Sequence, residues 1–251
     1  MATTKASAKA VPKNGAQKKK PKKSAQKGLF RRLFRIAVVV IVVLVAIPLV
    51  LVPVYAVVPP PFSTLELWVR LTRGSVERQW VPFDEIAPNL GYAVIMSEDG
   101  KFCEHIGVDW SAVREVIDSD SARGASTVPM QVAKNLFLWP SRSYVRKGLE
   151  VPLAYYMDLV WSKRRMMEIY LNIVEWGPGV FGAEAAAQHW FGVPASKLTL
   201  RQASLLVAAL PNPIVRNPAK PGPVTRRYAG IVEKRTRQAG AYVQCLKEEG
   251  Q

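Results

Sequence analysis

Ser162-Lys-Arg-Arg-Met166-Met-Glu168-Ile169-Tyr170-Leu171-Asn172-Ile173 is the stretch on which the fold turns. Met166, Ile169, Tyr170 and Ile173 recur at i, i+3, i+4 and i+7, which lines them along one side of an α-helix, and Ser162 stands where its hydroxyl can accept from the first unbonded backbone N–H groups. Downstream, Thr199 and Gln202 have capping-box spacing ahead of an apolar run to Leu210, and Pro211 supplies the stop. No series of alternating strands and no repeat of 20 to 50 residues interrupts this pattern. The spacing predicts a mainly α body.

The N-terminal side differs in kind. Ile36 to Val58 is apolar apart from Pro48, Pro53 and the polar tip of Tyr55, and as a helix it would extend roughly 35 Å, enough for a bilayer. A long basic lead and the lack of a small-x-small cleavage site favour an uncleaved anchor. Twelve of the 35 Lys and Arg precede Ile36 with no acid among them, whereas all 19 Asp and Glu lie in the remainder. Only Arg70, Arg73 and Arg78 follow the span closely, so the positive-inside rule puts the body outside the cytoplasm. The expected organisation is a basic, disordered cytoplasmic tail (1–35), a single transmembrane helix (36–58) and one catalytic domain (59–251). Phe62, Leu65, Leu67, Trp68 and Leu71 would keep the next segment near the membrane or in the core.

Charge and composition exclude several functions. The net charge of +16 is concentrated in a tail that adjoins a span and lacks interleaved aromatics, which speaks against a nucleic-acid partner. Two cysteines, Cys103 and Cys245, make no disulfide framework and lack metal-ligand spacing, and either state, paired or free, is open to them. His105 and His189 are too few for a histidine-rich metal site or a Ser-His-Asp triad. Chemistry therefore falls to carboxylates and cations.

Two segments supply them. Ala93-Val-Ile-Met-Ser97-Glu98-Asp99-Gly100-Lys101-Phe102-Cys103-Glu104-His105 runs from an apolar helix into a glycine-marked turn. Acids at a helix C-terminus oppose its dipole, so cationic partners or a function must favour Glu98 and Asp99 there. Gly124-Ala125-Ser126-Thr127 followed by Pro129-Met130-Gln131-Val-Ala-Lys134-Asn135 reads as a turn, a capping hydroxyl and a helix with proline in its first turn. Gln131 and Lys134 share a face, and Arg142, Arg146, Lys147 and Glu150 follow. Alone, the last three read as a surface ion-pair ladder. With hydroxyl donors nearby, the cations suit a phosphate or pyrophosphate.

Taken in order, these segments resemble the motifs of glycosyltransferase family 51, the peptidoglycan glycosyltransferases, over about Trp80 to Pro218. Ser97-Glu98-Asp99 through Phe102, His105, Gly107 and Asp109 is similar to the first motif, and Gly124 through Asn135 and Phe137 to the second. Arg146-Lys147-Gly-Leu-Glu150 resembles the third, Glu168-Ile-Tyr170-Leu171-Asn172 through Gly177, Gly182, Ala186 and Phe191 the fourth, and Gln202-Ala203 through Leu210-Pro211-Asn-Pro213 the fifth. The overall plan resembles the monofunctional biosynthetic members.

The resemblance implies a lysozyme-like helical fold behind the anchor, and polymerisation of lipid II into β-1,4-linked glycan with release of undecaprenyl pyrophosphate. Glu98 would be the general base and Glu150 a second essential carboxylate. Asp99, Ser126, Gln131, Lys134, Arg142 and Lys147 would bind substrate. A divalent cation, magnesium or manganese, would assist, with Glu150 its candidate ligand. Lipid II, the lipid-linked glycan, the inner membrane and other wall-synthesis proteins are the implied partners. His105, Asn172 and Tyr170 match family positions but read as structural. Gly124-Ala125 stands where the family usually has two glycines, Met130-Gln131 where it has two glutamines, Pro129 where it has a small polar residue, and Gln202 where it has Glu. Pro152 is expected to end or kink the helix of the third motif.

Two other readings compete. A lytic muramidase shares the lysozyme-like shape but needs no pyrophosphate site, so Lys134, Arg142 and Lys147 argue for synthesis. An inactive wall-synthesis scaffold would not need both Glu98 and Glu150. A transpeptidase domain has no room within 251 residues, so cross-linking is expected to fall to other proteins.

Overall fold

The computed structural model describes residues 1–3, 23–119, 124–141 and 143–247, with the side chains of 23–29 excepted. Among the described residues ten α-helices follow one another: α1 (Lys23–Tyr55), α2 (Thr64–Arg73), α3 (Pro88–Glu98), α4 (Trp110–Ser119), α5 (Val128–Phe137), α6 (Tyr144–Val160), α7 (Lys163–Ile173), α8 (Ala183–Phe191), α9 (Leu200–Ala209) and α10 (Pro223–Arg237). A small sheet orders β1 (Glu77–Arg78), β3 (Val180–Phe181) and β2 (Glu175–Gly177), with β3 central, parallel to β1 and antiparallel to β2. The mainly α expectation holds.

The chain divides into two units, 1–46 and 47–251. The first belongs to α1, which contains Phe30–Tyr55, a segment long and apolar enough to cross a membrane. Lys23 to Arg35, expected to lie in a disordered tail, is instead helical. Straight-chain Lys, Arg, Gln and Leu are good helix formers, and the adjoining apolar helix removes the cost of a separate nucleus. Residues 4–22 of that tail lie outside the described residues.

The second unit begins inside α1, not after it. Val52 is fully buried and Tyr55 nearly so. Pro53 has no N–H to give the carbonyl four residues back, Leu49, and Tyr156 Oη donates to that oxygen instead at 2.9 Å. Trp161 Nε1 donates to Val52 O at 2.7 Å, and Arg165 Nε to Tyr55 O at 2.9 Å. Arg78 pins the following prolines through the carbonyls of Pro60 and Pro61 and pairs with the buried Glu66.

Around α7 the core is thicker than an amphipathic stripe. Met166, Ile169, Tyr170 and Ile173 are buried as the periodicity predicts, but Met167, Leu171 and Asn172 are buried too, because neighbours lie on several sides. Ser162 caps it, accepting from Arg165 N–H. The Asn172 side chain is satisfied like a strand partner, accepting from Val81 N–H and donating to Val81 O and Glu168 O, a structural role as expected. The Thr199–Gln202 capping box opens α9, and α9 and α10 pack on α3.

Two expectations are revised or resolved. Pro152 lies within α6, which continues to Val160. Its missing N–H leaves the Gly148 carbonyl unbonded within the helix, and Gly148 is exposed, so water can take that oxygen. Cys103 and Cys245 form a disulfide that ties the loop after α3 to the C-terminal 3-10 segment Gly240–Leu246 across 142 residues.

Candidate active site

Glu98 is the last residue of α3 and Asp99 its C-cap, so two carboxylates meet the negative end of a helix dipole. Asp99 is relieved by a second helix. Its Oδ2 accepts from Val128 N–H at 2.8 Å, the first residue of α5, and both its oxygens lie 2.8 and 3.0 Å from His105 Nε2. The carboxylate that one helix disfavours thus sits at the positive end of the next. Asp99 is 5% exposed and its bonds are taken by the protein. Asp99, expected to bind substrate, braces the first motif against the second.

The loop between them is fixed by polar contacts. Gly107 donates to Asp158 Oδ2 at 2.6 Å and its carbonyl accepts from Thr127 Oγ1, also at 2.6 Å. Its φ of +65° is left-handed, and a Cβ there would come within 2.8 Å of Tyr155 N, so only glycine fits. Lys163 closes the clamp, bonding Asp158 and the His105 carbonyl. Thr127 accepts from Met130 N–H, starting α5.

Among the described residues Glu98 has no ionic partner. Its Oε1 accepts from Ser97 Oγ at 3.2 Å and its Oε2 from Gln131 Nε2 at 3.3 Å, both neutral donors. Burial raises its proton affinity above the usual carboxylate range; those two hydrogen bonds and the charge of Lys134 oppose the shift, and Asp99 adds to it. Lys134 lies on the Gln131 face of α5, and among the described residues it makes no ion pair. Burial lowers its pKa; Glu150 and Glu98 hold it up, while Arg146 and Lys147 press it down. Lys134 therefore senses both carboxylates of the site.

On α6 the ladder read from the sequence is not a surface feature. Glu150 is 2% exposed, and its two oxygens accept from Arg146 Nη1 and Lys147 Nζ, the latter at 2.9 Å. Arg146 is itself buried and also donates to Ser141 O. Lys147 reaches across to Ser126 Oγ, so Ser126 joins the loop before α5 to this cluster. Arg146 is the member missed among the candidates, although its i, i+4 spacing to Glu150 carried the signal. Glu150, expected as a catalytic group and as the candidate metal ligand, pairs with two cations. No three His, Cys, Asp or Glu side chains converge among the described residues, so a divalent cation here would have to draw most of its ligands from substrate phosphates. Arg142 lies outside the described residues.

Glu98, Asp99, Lys101, Asp109, Glu115 and Ser126 face a cleft of about 260 Å³. Two further hydroxyls stand behind the partners of Glu98, one on Tyr170, read from the sequence as structural, and one on Tyr228, which the sequence reading missed. Tyr170 Oη donates to Gln131 Oε1 at 3.1 Å, and Tyr228 Oη lies 2.9 Å from Ser97 Oγ. The first could have been suspected, since a tyrosine on a buried helix face needs a partner for its hydroxyl; the second, 131 residues away in sequence, could not. The arrangement offers a half-buried carboxylate of raised basicity at one end and a group of cations and a hydroxyl at the other, with Lys134 electrostatically coupled to both.

Residues 67–236 match the family model for transglycosylase. A protein of Agrobacterium fabrum named biosynthetic peptidoglycan transglycosylase is 53% identical over 224 residues, 86% of this chain and 98% of that one. Proteins of the same name from Mesorhizobium japonicum and Brucella suis are 57% identical over 193 residues and 52% over 217, covering 74% and 84% of this chain and 81% and 97% of theirs. Similarity of this degree over nearly the whole of these relatives, together with a family model spanning most of the body, establishes that the chain belongs to the transglycosylase family.

Proposed function

We propose that this peptidoglycan transglycosylase polymerises lipid II, with Glu98 as general base toward the acceptor hydroxyl and the cluster on α5 and α6 receiving the departing pyrophosphate. The acceptor 4-hydroxyl attacks the anomeric carbon of the growing glycan in line. The carbon–oxygen bond to undecaprenyl pyrophosphate breaks, the configuration inverts to a β-1,4 linkage, and the hydroxyl proton passes to Glu98.

The observation that carries this reading is the contrast between Glu98 and the other two acids, Asp99 and Glu150. Asp99 accepts from Val128 N–H and lies against His105, and Glu150 pairs with Arg146 and Lys147, whereas among the described residues Glu98 is held by the neutral donors of Gln131 and Ser97 and has its proton affinity raised by burial. A base working near neutrality needs that environment, and a leaving group that departs as a pyrophosphate needs cations more than a proton. Lys134, Lys147 and the Ser126 hydroxyl supply positive charge and a donor. Arg146 and Glu150 hold Lys147 in place.

A divalent cation, where the reaction uses one, would take most of its ligands from the substrate's phosphate oxygens and would supply positive charge to the departing pyrophosphate. The cytoplasmic-membrane location and outward-facing body rest on the basic residues ahead of the apolar helix and on the Cys103–Cys245 bond, which suits an oxidising compartment.

The test is a gel assay of labelled lipid II with wild type and Glu98→Gln, with no transpeptidase present and with a chelated sample to which Mg²⁺ or Mn²⁺ is returned. Polymer from wild type alone is expected. No polymer from folded wild type points to a scaffold, and cutting of preformed glycan to a lytic enzyme. A rate indifferent to chelation removes the cation from the scheme.

A further inference from the structure

We infer that Tyr170 and Tyr228 are positioning residues for Glu98, each fixing through one intermediary the direction in which a hydrogen-bond donor is presented to one carboxylate oxygen. The inference rests on the reading of Glu98 as the base and adds to it two groups that touch no substrate.

Both intermediaries are ambiguous as hydrogen-bonding groups. The Gln131 amide presents an NH₂ and a carbonyl of almost the same shape, and only one orientation favours a neighbouring carboxylate. With Nε2 toward Glu98 it donates; turned over, it would set one oxygen against another. Tyr170 resolves the choice. Its hydroxyl donates to Gln131 Oε1 at 3.1 Å, which leaves Nε2 facing Glu98 Oε2 at 3.3 Å. Tyr170 is fully buried, and burial, with Glu98 and Asp99 close by, holds its hydroxyl protonated and so a donor.

Ser97 is ambiguous in another way, since its single proton can turn toward Glu98 or toward Tyr228. With the Ser97 proton given to Glu98 Oε1, Tyr228 must donate to Ser97 Oγ, and the 2.9 Å contact allows it. Two chains of one polarity, Tyr170 to Gln131 and Tyr228 to Ser97, therefore end on the two oxygens of one carboxylate. They come from two separate helices, α7 and α10. Such donors stabilise the ionised form and hold the oxygen lone pairs in a fixed plane. Buried hydroxyls also need partners for stability alone, so the test must separate position from folding.

The experiment compares Tyr170→Phe and Tyr228→Phe with wild type in the full-length protein, measuring kcat, KM, the pH profile of kcat/KM and the melting temperature. Each variant is expected to lose about tenfold in kcat, the scale of one misdirected hydrogen bond to a charged group. KM should stay within about twofold of wild type. The acid limb of kcat/KM should move to higher pH, because an ionised Glu98 that loses a donor regains its proton more readily. An unchanged kcat and acid limb, whatever the melting temperature does, overturns the inference, as does a rise in KM alone. Tyr228 is only half-buried, so its variant keeps the test open should Tyr170→Phe fold poorly. Glu98→Gln is the control: if it is active, the base reading falls; if it is inactive while both tyrosine variants behave as wild type, only the positioning falls.

Discussion

Replacing Asp99 with Asn changes one charge and almost no volume, yet the surroundings make it costly. An Asn at this position can keep its carbonyl on the Val128 N–H, which turns its NH₂ toward His105 Nε2. That nitrogen must then become an acceptor, and the ring proton moves to Nδ1. His105 Nδ1 is buried and has no hydrogen-bond partner, tolerable for an acceptor nitrogen but expensive for an N–H. The loss of a charge-assisted bond at about 1.5–3 kcal/mol and a buried unsatisfied donor at about 1–3 kcal/mol together suggest roughly 3 kcal/mol or more. For a body of this size, about 3 kcal/mol lowers the melting temperature by roughly 6–12 °C. Thermal melts of the full-length protein in detergent, followed by near-UV circular dichroism or intrinsic tryptophan fluorescence, would measure it. A substrate contact behaves oppositely: Asp99→Asn would melt with wild type and show a raised KM. That result would refute the brace.

Two further outcomes follow from the same geometry. The pH profile of kcat/KM should be a bell narrower than the ordinary values allow. Its acid limb should lie above 4.5, because Glu98 must lose a proton that burial makes it hold, and its alkaline limb below 10.5, because Lys134 gives up its charge early; an acid limb at or under 4.5 would remove Glu98 as the base. Reducing the Cys103–Cys245 bond, or replacing both cysteines with Ser, should cost about 2–4 kcal/mol by freeing a long loop in the unfolded chain. An unchanged melting temperature with reductant would show the bond to be unimportant for stability.

The sequence was most informative where one physical rule acted alone. The 3.6-residue period and Ser162 were enough for α7, and Thr199 with Gln202 for the start of α9. The pairing of Gln131 with Lys134 on one helix face also survived. What escaped depended on distant partners. Strands of two or three residues such as Val180–Phe181 are too short to display alternation, and their pairing with Glu77–Arg78 spans about a hundred residues. The spacing of Arg146, Lys147 and Glu150 was visible, but whether that ladder faces water or lies under α5 is a tertiary fact, and burial turned a surface pattern into part of the site. Asp99 was visible as an anomaly at a helix end; that a second helix resolves it was not.

The boundary drawn at residue 59 has a practical cost. Leu49, Val52 and Tyr55 lend their carbonyls to Tyr156, Trp161 and Arg165, and Val52 fills part of the core. A shortened protein that began at 59 would leave a tyrosine, an indole and a guanidinium looking for acceptors, and an apolar hollow where Val52 had been. Grafting a foreign membrane anchor would do the same unless the splice were made upstream of Ile47. In genetic terms the last nine residues of α1 are inherited with the enzyme, and interchangeable anchors end before them.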